Sequence, residues 1–176
     1  MNQIVLVVLL LVCLNTVLLN DDNLYDFPQK MLVQHNKYRL LHNSHPMTLS
    51  TSLNAFAQEW ADYLAMNNLF EHRENLFSLN RGENIYYSYD SVLLPSGMDA
   101  ADSWYNEISD WSFASNSPKS PNAVTAHFTQ KMVWNSSLQL GCGKSYNGNK
   151  VYVVCNYFIA GNMLEEYDQN VFKPNL

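Results

Sequence analysis

The stretch QLGCGKSYNGNKVYVVCNYF, residues 139–158, decides how the chain folds. Residues 139–145 and 151–158 read as two strands, the second rich in Val and Tyr, and YNGNK (146–150) between them is a hairpin signal. Two turns compete for it. A type I′ turn on Asn147-Gly148 sets Cys142 opposite Val153. A type II′ turn on Gly148-Asn149, with Gly in the first central position, sets Cys142 opposite Cys155. If the two cysteines are bridged directly across the ladder, the second turn is selected.

Whether they are bridged depends on the other end of the chain. The first twenty residues, MNQIVLVVLLLVCLNTVLLN, hold no charged side chain, and residues 4–14 are an unbroken apolar run. That run is too short to span a bilayer and has the length of a signal-peptide core. A signal peptide over residues 1–20 takes Cys13 away and leaves Cys142 and Cys155, an even number in an oxidising, extracellular setting. The competing reading is an uncleaved anchor ending near Leu19, which would be the chain's only membrane contact. Residues 21–176 then form one domain. The full chain of 176 residues, with 47% hydrophobic residues, eleven Tyr and eight Phe, is enough to bury one ordinary core. A net charge of −6 and a pI near 5.2, with no basic stripe, exclude a nucleic-acid partner.

Upstream of the hairpin the pattern is helical. Residues 27–41 carry Phe27, Met31, His35, Tyr38 and Leu41 on one face. The clearest helix is 53–65, where Leu53, Phe56, Ala57, Trp60, Ala61, Leu64 and Ala65 keep the i, i+3, i+4, i+7 spacing, with Ser50 or Ser52 as N-cap. A polar stretch, 66–81, has no period. Residues 82–89 (GENIYYSY) are extended or briefly helical. Pro95-Ser96-Gly97 precedes a third helix, 99–111, with Ala100, Ala101, Trp104, Ile108 and Trp111 together. Ser120-Pro121 opens a short fourth helix carrying His127, and residues 131–134 read as a strand. Helices first and an antiparallel sheet last make an α+β fold, with helices on the faces of a small sheet.

Four side chains invite chemistry, each with a plainer alternative. On a wheel of 100° per residue, Glu107 falls about 60° to one side of Trp104 and so borders the buried stripe. A carboxylate there must be paired, ligated or at the edge of a cleft, unless it turns outward to water. His127 faces the sheet, either as a hydrogen-bonded core histidine or as a cleft residue. Glu83 sits in Gly82-Glu83-Asn84, where a simple turn carboxylate is the alternative, and His72 lies in the polar stretch, where surface solvation is. There is no HExxH helix, GxSxG elbow, Gly-rich phosphate loop or zinc-knuckle cysteine spacing. Asn135-Ser136-Ser137 is a glycosylation sequon on Asn135.

Taken in order, HNKYR (35–39), AQEWADYLA (57–65), RGENIYYS (81–88), DSWYNEI (102–108), HFTQKMVWNSS (127–137), LGCGK (140–144) and CNYFIAGN (155–162) are a set. Together they resemble the CAP superfamily of cysteine-rich secretory, antigen 5 and pathogenesis-related 1 proteins, from about residue 28 to the C-terminus. The resemblance implies a three-layer α-β-α sandwich with a small central antiparallel sheet. It also implies a cleft lined by two histidines and two glutamates, which by position are His72, Glu83, Glu107 and His127. Such a set suits Zn2+ or Mg2+; imidazoles favour zinc, and no organic cofactor is implied.

For function, the resemblance implies a secreted, extracellular, non-catalytic protein binding a sterol or other small hydrophobic ligand, in defence, venom, saliva or host interaction. Tyr86, Tyr87, Trp104 and Trp111 are candidates for the ligand groove, against ordinary core packing. The alternatives are a metal-dependent hydrolase or protease using the His/Glu tetrad, and a secreted module that binds an extracellular protein. With one candidate bridge and about fourteen residues after CNYFIAGN, the chain resembles the minimal members without a cysteine-rich C-terminal module.

Overall fold

A computed structural model describes residues 26–175; the leader at 1–20, with Cys13, lies outside the described residues. The hairpin forms as β5 (Gln139–Asn147) and β6 (Lys150–Phe158), and Cys142 stands directly opposite Cys155. The two are joined by a disulfide. Asn147 pairs with Lys150, so Gly148 and Asn149 are the turn. Gly148 takes a positive φ of 57° and Asn149 does not, which is the type II′ pattern that the bridge demanded.

The outer strands complete the sheet in the order β1-β5-β6-β2. β2 (Arg81–Tyr89) is extended throughout and runs antiparallel to β6, with Glu83 opposite Asn156. β1 (Thr48–Leu49) is short and parallel to β5.

Side chains alternate across this sheet, and each face has its own cover. On one face lies α2 (Thr51–Asn67), capped by the Ser50 hydroxyl, which buries Ala57, Ala61, Leu64 and Ala65 against Ile85, Tyr152 and Val154. The close seating is possible because β5 is bare where the helix crosses. A Cβ on Gly141 would lie 2.2 Å from the Leu53 carbonyl carbon, and one on Gly143 would lie 2.4 Å from Gln58 Cα. On the other face Val151, Val153, Cys155 and Tyr157 meet Met31, Trp104 and Phe128. That face is covered by α1 (Phe27–Leu41), α3 (Ala100–Asn106) and a π-helical turn, Phe128–Met132. The result is an α-β-α sandwich.

Three local expectations change. The third helix stops at Asn106 and continues as a 3-10 turn, Glu107–Asp110. Trp111 then turns extended, buries its indole and pairs with Pro118 in a small β3–β4 ladder (Trp111–Ser112 with Ser117–Pro118). The helical segment expected from residue 121 begins only at residue 126. Residues 131–134 are not a strand; Met132, Val133 and Trp134 are all buried, in the end of the π turn and the bend after it. A short apolar run does not by itself distinguish a strand from a buried helical turn. The Met132 and Trp134 carbonyls find their partner in Arg39, whose buried guanidinium also bonds those of His45, Asn135 and Ser137, while the Val133 carbonyl accepts the Ser44 hydroxyl.

Candidate functional site

The GEN segment sits on an edge strand, so its alternating side chains reach both faces of the sheet at once. Glu83 shares a face with Ile85 and the α2 layer, and Asn84 points to the other, where its amide donates to the His127 carbonyl at 3.2 Å. The two histidine–glutamate pairs therefore approach β2 from opposite faces, through adjacent residues.

In the first pair, His72 Nδ1 is 3.0 Å from Glu83 Oε1. The same oxygen accepts the Arg73 amide at 3.0 Å, and Oε2 accepts the Asn156 side-chain amide at 3.1 Å. The Glu83 side chain is fully buried, whereas that of His72 is 54% exposed. In the second pair, His127 Nδ1 donates to Glu107 Oε1 at 2.6 Å. The Oε2 atom accepts the backbone amides of His127 (3.0 Å) and Phe128 (3.1 Å). Glu107 thus supplies the acceptor that the first amides of the helical turn lack. Its place at the edge of the apolar stripe is explained by this partner. The His127 ring stacks near Trp104, 6.3 Å between centroids.

Both imidazoles are tied through Nδ1, and neither Nε2 has a protein hydrogen-bond partner among the described residues. Both carboxylates are already engaged by N–H donors on each oxygen. Among the described residues no group of three His, Cys, Asp or Glu side chains is placed to hold a metal ion. Carboxylates behind Nδ1 with Nε2 left over is the arrangement in which a histidine ligates a metal and the carboxylate orients it.

A buried hydrogen-bond chain supports this region from α1. His35 Nδ1 donates to the Met31 carbonyl at 2.7 Å, so its Nε2 accepts from the Tyr157 hydroxyl at 2.9 Å. Asn84 donates to the same hydroxyl at 3.3 Å. Burial pushes His35 down to about 4, only partly opposed by the Met31 bond, and pushes Tyr157 well above its ordinary value. His42 is lowered by burial as well; its ring bridges the Phe172 carbonyl and the Tyr105 hydroxyl.

The aromatic residues singled out in the sequence separate. Trp104 is 2% exposed, lies in the core and donates to the Ile85 carbonyl. Trp111, 3% exposed, borders a cavity of about 410 Å3 beside Pro118 and Tyr167. Tyr86 is half-buried and bonds Asp99; Tyr87 is exposed against Phe70 and Tyr152. A larger groove lies elsewhere. It measures about 930 Å3 and runs between α2 and residues 71–79, lined by Phe56, Trp60, Tyr63, Met66 and Leu79 among others, with His72 at its border. Sequence periodicity assigns Phe56 and Trp60 to the core, but both are only half-buried. Their neighbours Tyr63 and Met66, off the apolar stripe, are the available signal. A smaller cavity of about 390 Å3 adjoins it on the other side of His72, bounded by Glu83, Arg81 and Asn162.

Comparison with known proteins gives a consistent result. The model of the cysteine-rich secretory protein (CAP) family matches residues 32–157. The human Golgi-associated plant pathogenesis-related protein 1 is 35% identical over 152 residues, covering 84% of this chain and 94% of that protein. Human cysteine-rich secretory protein 2 is 40% identical over 120 residues, 66% of this chain and 47% of that longer protein. Among solved structures, BmVAL-1 superposes with a TM-score of 0.67 at 24% identity, covering 84% of this chain and 82% of that one. NaASP2 with Zn2+ gives a TM-score of 0.62 at 25% identity, covering 84% and 85%.

Proposed function

The chain belongs to the cysteine-rich secretory protein (CAP) family, and on that basis we propose a secreted, non-catalytic binding protein whose ligand is a small apolar molecule, a sterol or other lipid. The observation that carries the reading is the groove of about 930 Å3 beside α2. It is of the size that takes a small ligand, and it presents half-exposed aromatic and thioether side chains outside the two packed faces of the sheet. No helix among the described residues is long and apolar enough to cross a membrane. The secretory reading rests on the leader and on the name shared by relatives.

The two His/Glu pairs are the metal-capable residues in this proposal, and of the four only His72 borders the groove. Each histidine would offer its Nε2 to a cation, with Glu83 fixing the ring of His72 and Glu107 that of His127 from behind. Imidazole donors favour zinc over magnesium, and the similar NaASP2 was crystallised with Zn2+, which supports the same choice. A bound ion would supply a fixed positive charge and a Lewis-acid centre. The chain's own groups do not favour hydrolysis. The carboxylates of Glu83 and Glu107 are committed to N–H donors at both oxygens, holding the histidine rings rather than standing clear for a substrate proton.

The test is native mass spectrometry of the secreted, purified protein before and after chelation. A lipid-sized adduct, lost on Trp60→Ala substitution, is the expected result. A chelator-sensitive metal without any apolar adduct would reopen the hydrolase reading. Finding neither would leave recognition of an extracellular protein as the function. The same spectrum reads out leader removal and glycosylation of Asn135.

A further inference from the structure

The groove beside α2 is unusual in what surrounds its aromatic floor. Trp60 and Tyr63 stack face to face, 4.7 Å between ring centroids and 11° between planes. Their neighbour Phe56 is already engaged by cations. The Arg73 guanidinium lies 3.9 Å from its ring centroid and the Arg81 guanidinium 4.1 Å. Arg73 also lies 5.1 Å from Trp60. The ring faces of this groove are therefore of a kind that receives positive charge, within the range where cation–π attraction operates.

The rim carries the opposite sign. Glu59, Asp62, Glu71 and Glu74 line the groove, and Arg73 is the guanidinium that faces them there. Arg73 is committed in part, through one guanidinium nitrogen, while its Nε has no hydrogen-bond partner among the described residues. It donates to the Phe56 carbonyl at 3.1 Å, lies 3.6 Å from Glu59, and keeps its side chain largely buried. Among the described residues Asp62 accepts an uncharged amide alone, from Gln58 at 2.9 Å. Glu71 and Glu74 make no side-chain hydrogen bond among the described residues, and both are exposed.

An apolar ligand seated along Met66 and Leu79 would place its polar head among these carboxylates. A fatty-acid carboxylate would meet like charge at that position. A quaternary or protonated amine would meet opposite charge and an aromatic face together. We infer that the groove selects amphiphiles with an apolar body and a cationic head. This rests on the reading of the groove as the ligand site and narrows the ligand class within it.

Three probes of one chain length separate the cases: dodecyltrimethylammonium, dodecanol and dodecanoate, each titrated below its micelle-forming concentration and followed by calorimetry and tryptophan fluorescence. The wild-type protein is expected to bind the trimethylammonium probe about tenfold tighter than dodecanoate, with the advantage shrinking as salt is raised. Neutralising the rim with Asp62→Asn, Glu71→Gln and Glu74→Gln together should remove most of that preference while leaving dodecanol affinity in place.

If dodecanol or dodecanoate binds as tightly as the cation, the cationic selectivity is wrong and the apolar groove stands. If no probe binds, or if Trp60→Ala changes none of the affinities, the groove is not the ligand site and both readings fall. The comparison among probes on the wild-type protein decides the matter even if the triple variant does not fold.

Discussion

The Arg39 guanidinium lies 2.9 Å from the Trp134 carbonyl oxygen, joining α1 to the segment after the π turn. It holds four further carbonyls, and burial lowers it to about 10, still charged at neutral pH. Arg39→Lys should destabilise by about 3 kcal/mol, because one ammonium cannot fan across carbonyls spread from residue 45 to residue 137 and leaves several buried acceptors unpaired. Urea unfolding of the two proteins checks this. A loss under 1 kcal/mol, on the order of an ordinary surface change, would show that the segment has other support.

Acid should weaken the fold through His35. Its folded value of about 4 lies below its ordinary 6.5, so the unfolded chain binds the proton more readily. The stability from keeping this ring neutral is complete above pH 6.5 and is lost as pH falls towards 4, by up to roughly 1.4 kcal/mol per pH unit. His42, lowered too, adds in the same direction. Urea midpoints between pH 4 and 8 should show that slope, and His35→Gln should flatten it. A wild-type profile level through this window contradicts the assignment.

The seating of α2 on β5 has no room for a methyl group. Gly143→Ala should cost about 2 kcal/mol or more, since the contact at 2.4 Å is with helix backbone and cannot be relieved by a rotamer change. Gly148→Ala, with nothing within 4 Å of the added carbon, should cost less, and only through its positive φ. Thermal unfolding of both variants ranks them; the reverse order would mean that the layers yield easily.

Cross-linking β5 to β6 closes a loop over a separation of 13 residues. Replacing both Cys142 and Cys155 with Ser should lower stability by about 3 kcal/mol on the chain-entropy view. The unfolding midpoint with and without reductant measures it. Wild type and the double variant should coincide once the bridge is reduced.

Glu107 holds both the ring of His127 and the first amides of its helical turn. Glu107→Ala should therefore cost about 2 kcal/mol of stability and about tenfold in zinc affinity, measured by calorimetry with zinc chloride. His127→Ala should lose zinc binding with a smaller effect on stability. Equal zinc affinity in all three proteins would remove this pair from any metal site.

Most of the fold can be read from the chain because its strongest signals are local. Alanines and leucines at helical spacing define α2, and a glycine-containing turn with two cysteines fixes the hairpin register. The helix through Trp104 ends earlier than its apolar spacing suggests because Trp111 belongs to a two-residue ladder with Pro118, a pairing that no local period announces. Residues 131–134 mislead for a related reason: their carbonyls are satisfied by side chains nearly ninety or more residues earlier, Arg39 at Met132 and Trp134 and Ser44 at Val133. At the site, the four His/Glu positions come from motif resemblance, and their pairing requires the sheet. Which face Glu83 takes depends on its register with Asn156. The groove is least legible, since Trp60 keeps core spacing while Met66 and Leu79 enter from outside it.

The sequon on Asn135 carries a consequence about timing. In the folded protein the Ser137 side chain is buried and donates to the Ile159 carbonyl at 2.6 Å, while Asn135 accepts the His45 amide at 3.0 Å. An enzyme that must read the serine two residues after its asparagine finds that serine hidden once the sheet has closed. Any sugar at this position is therefore added before β5 and β6 come together.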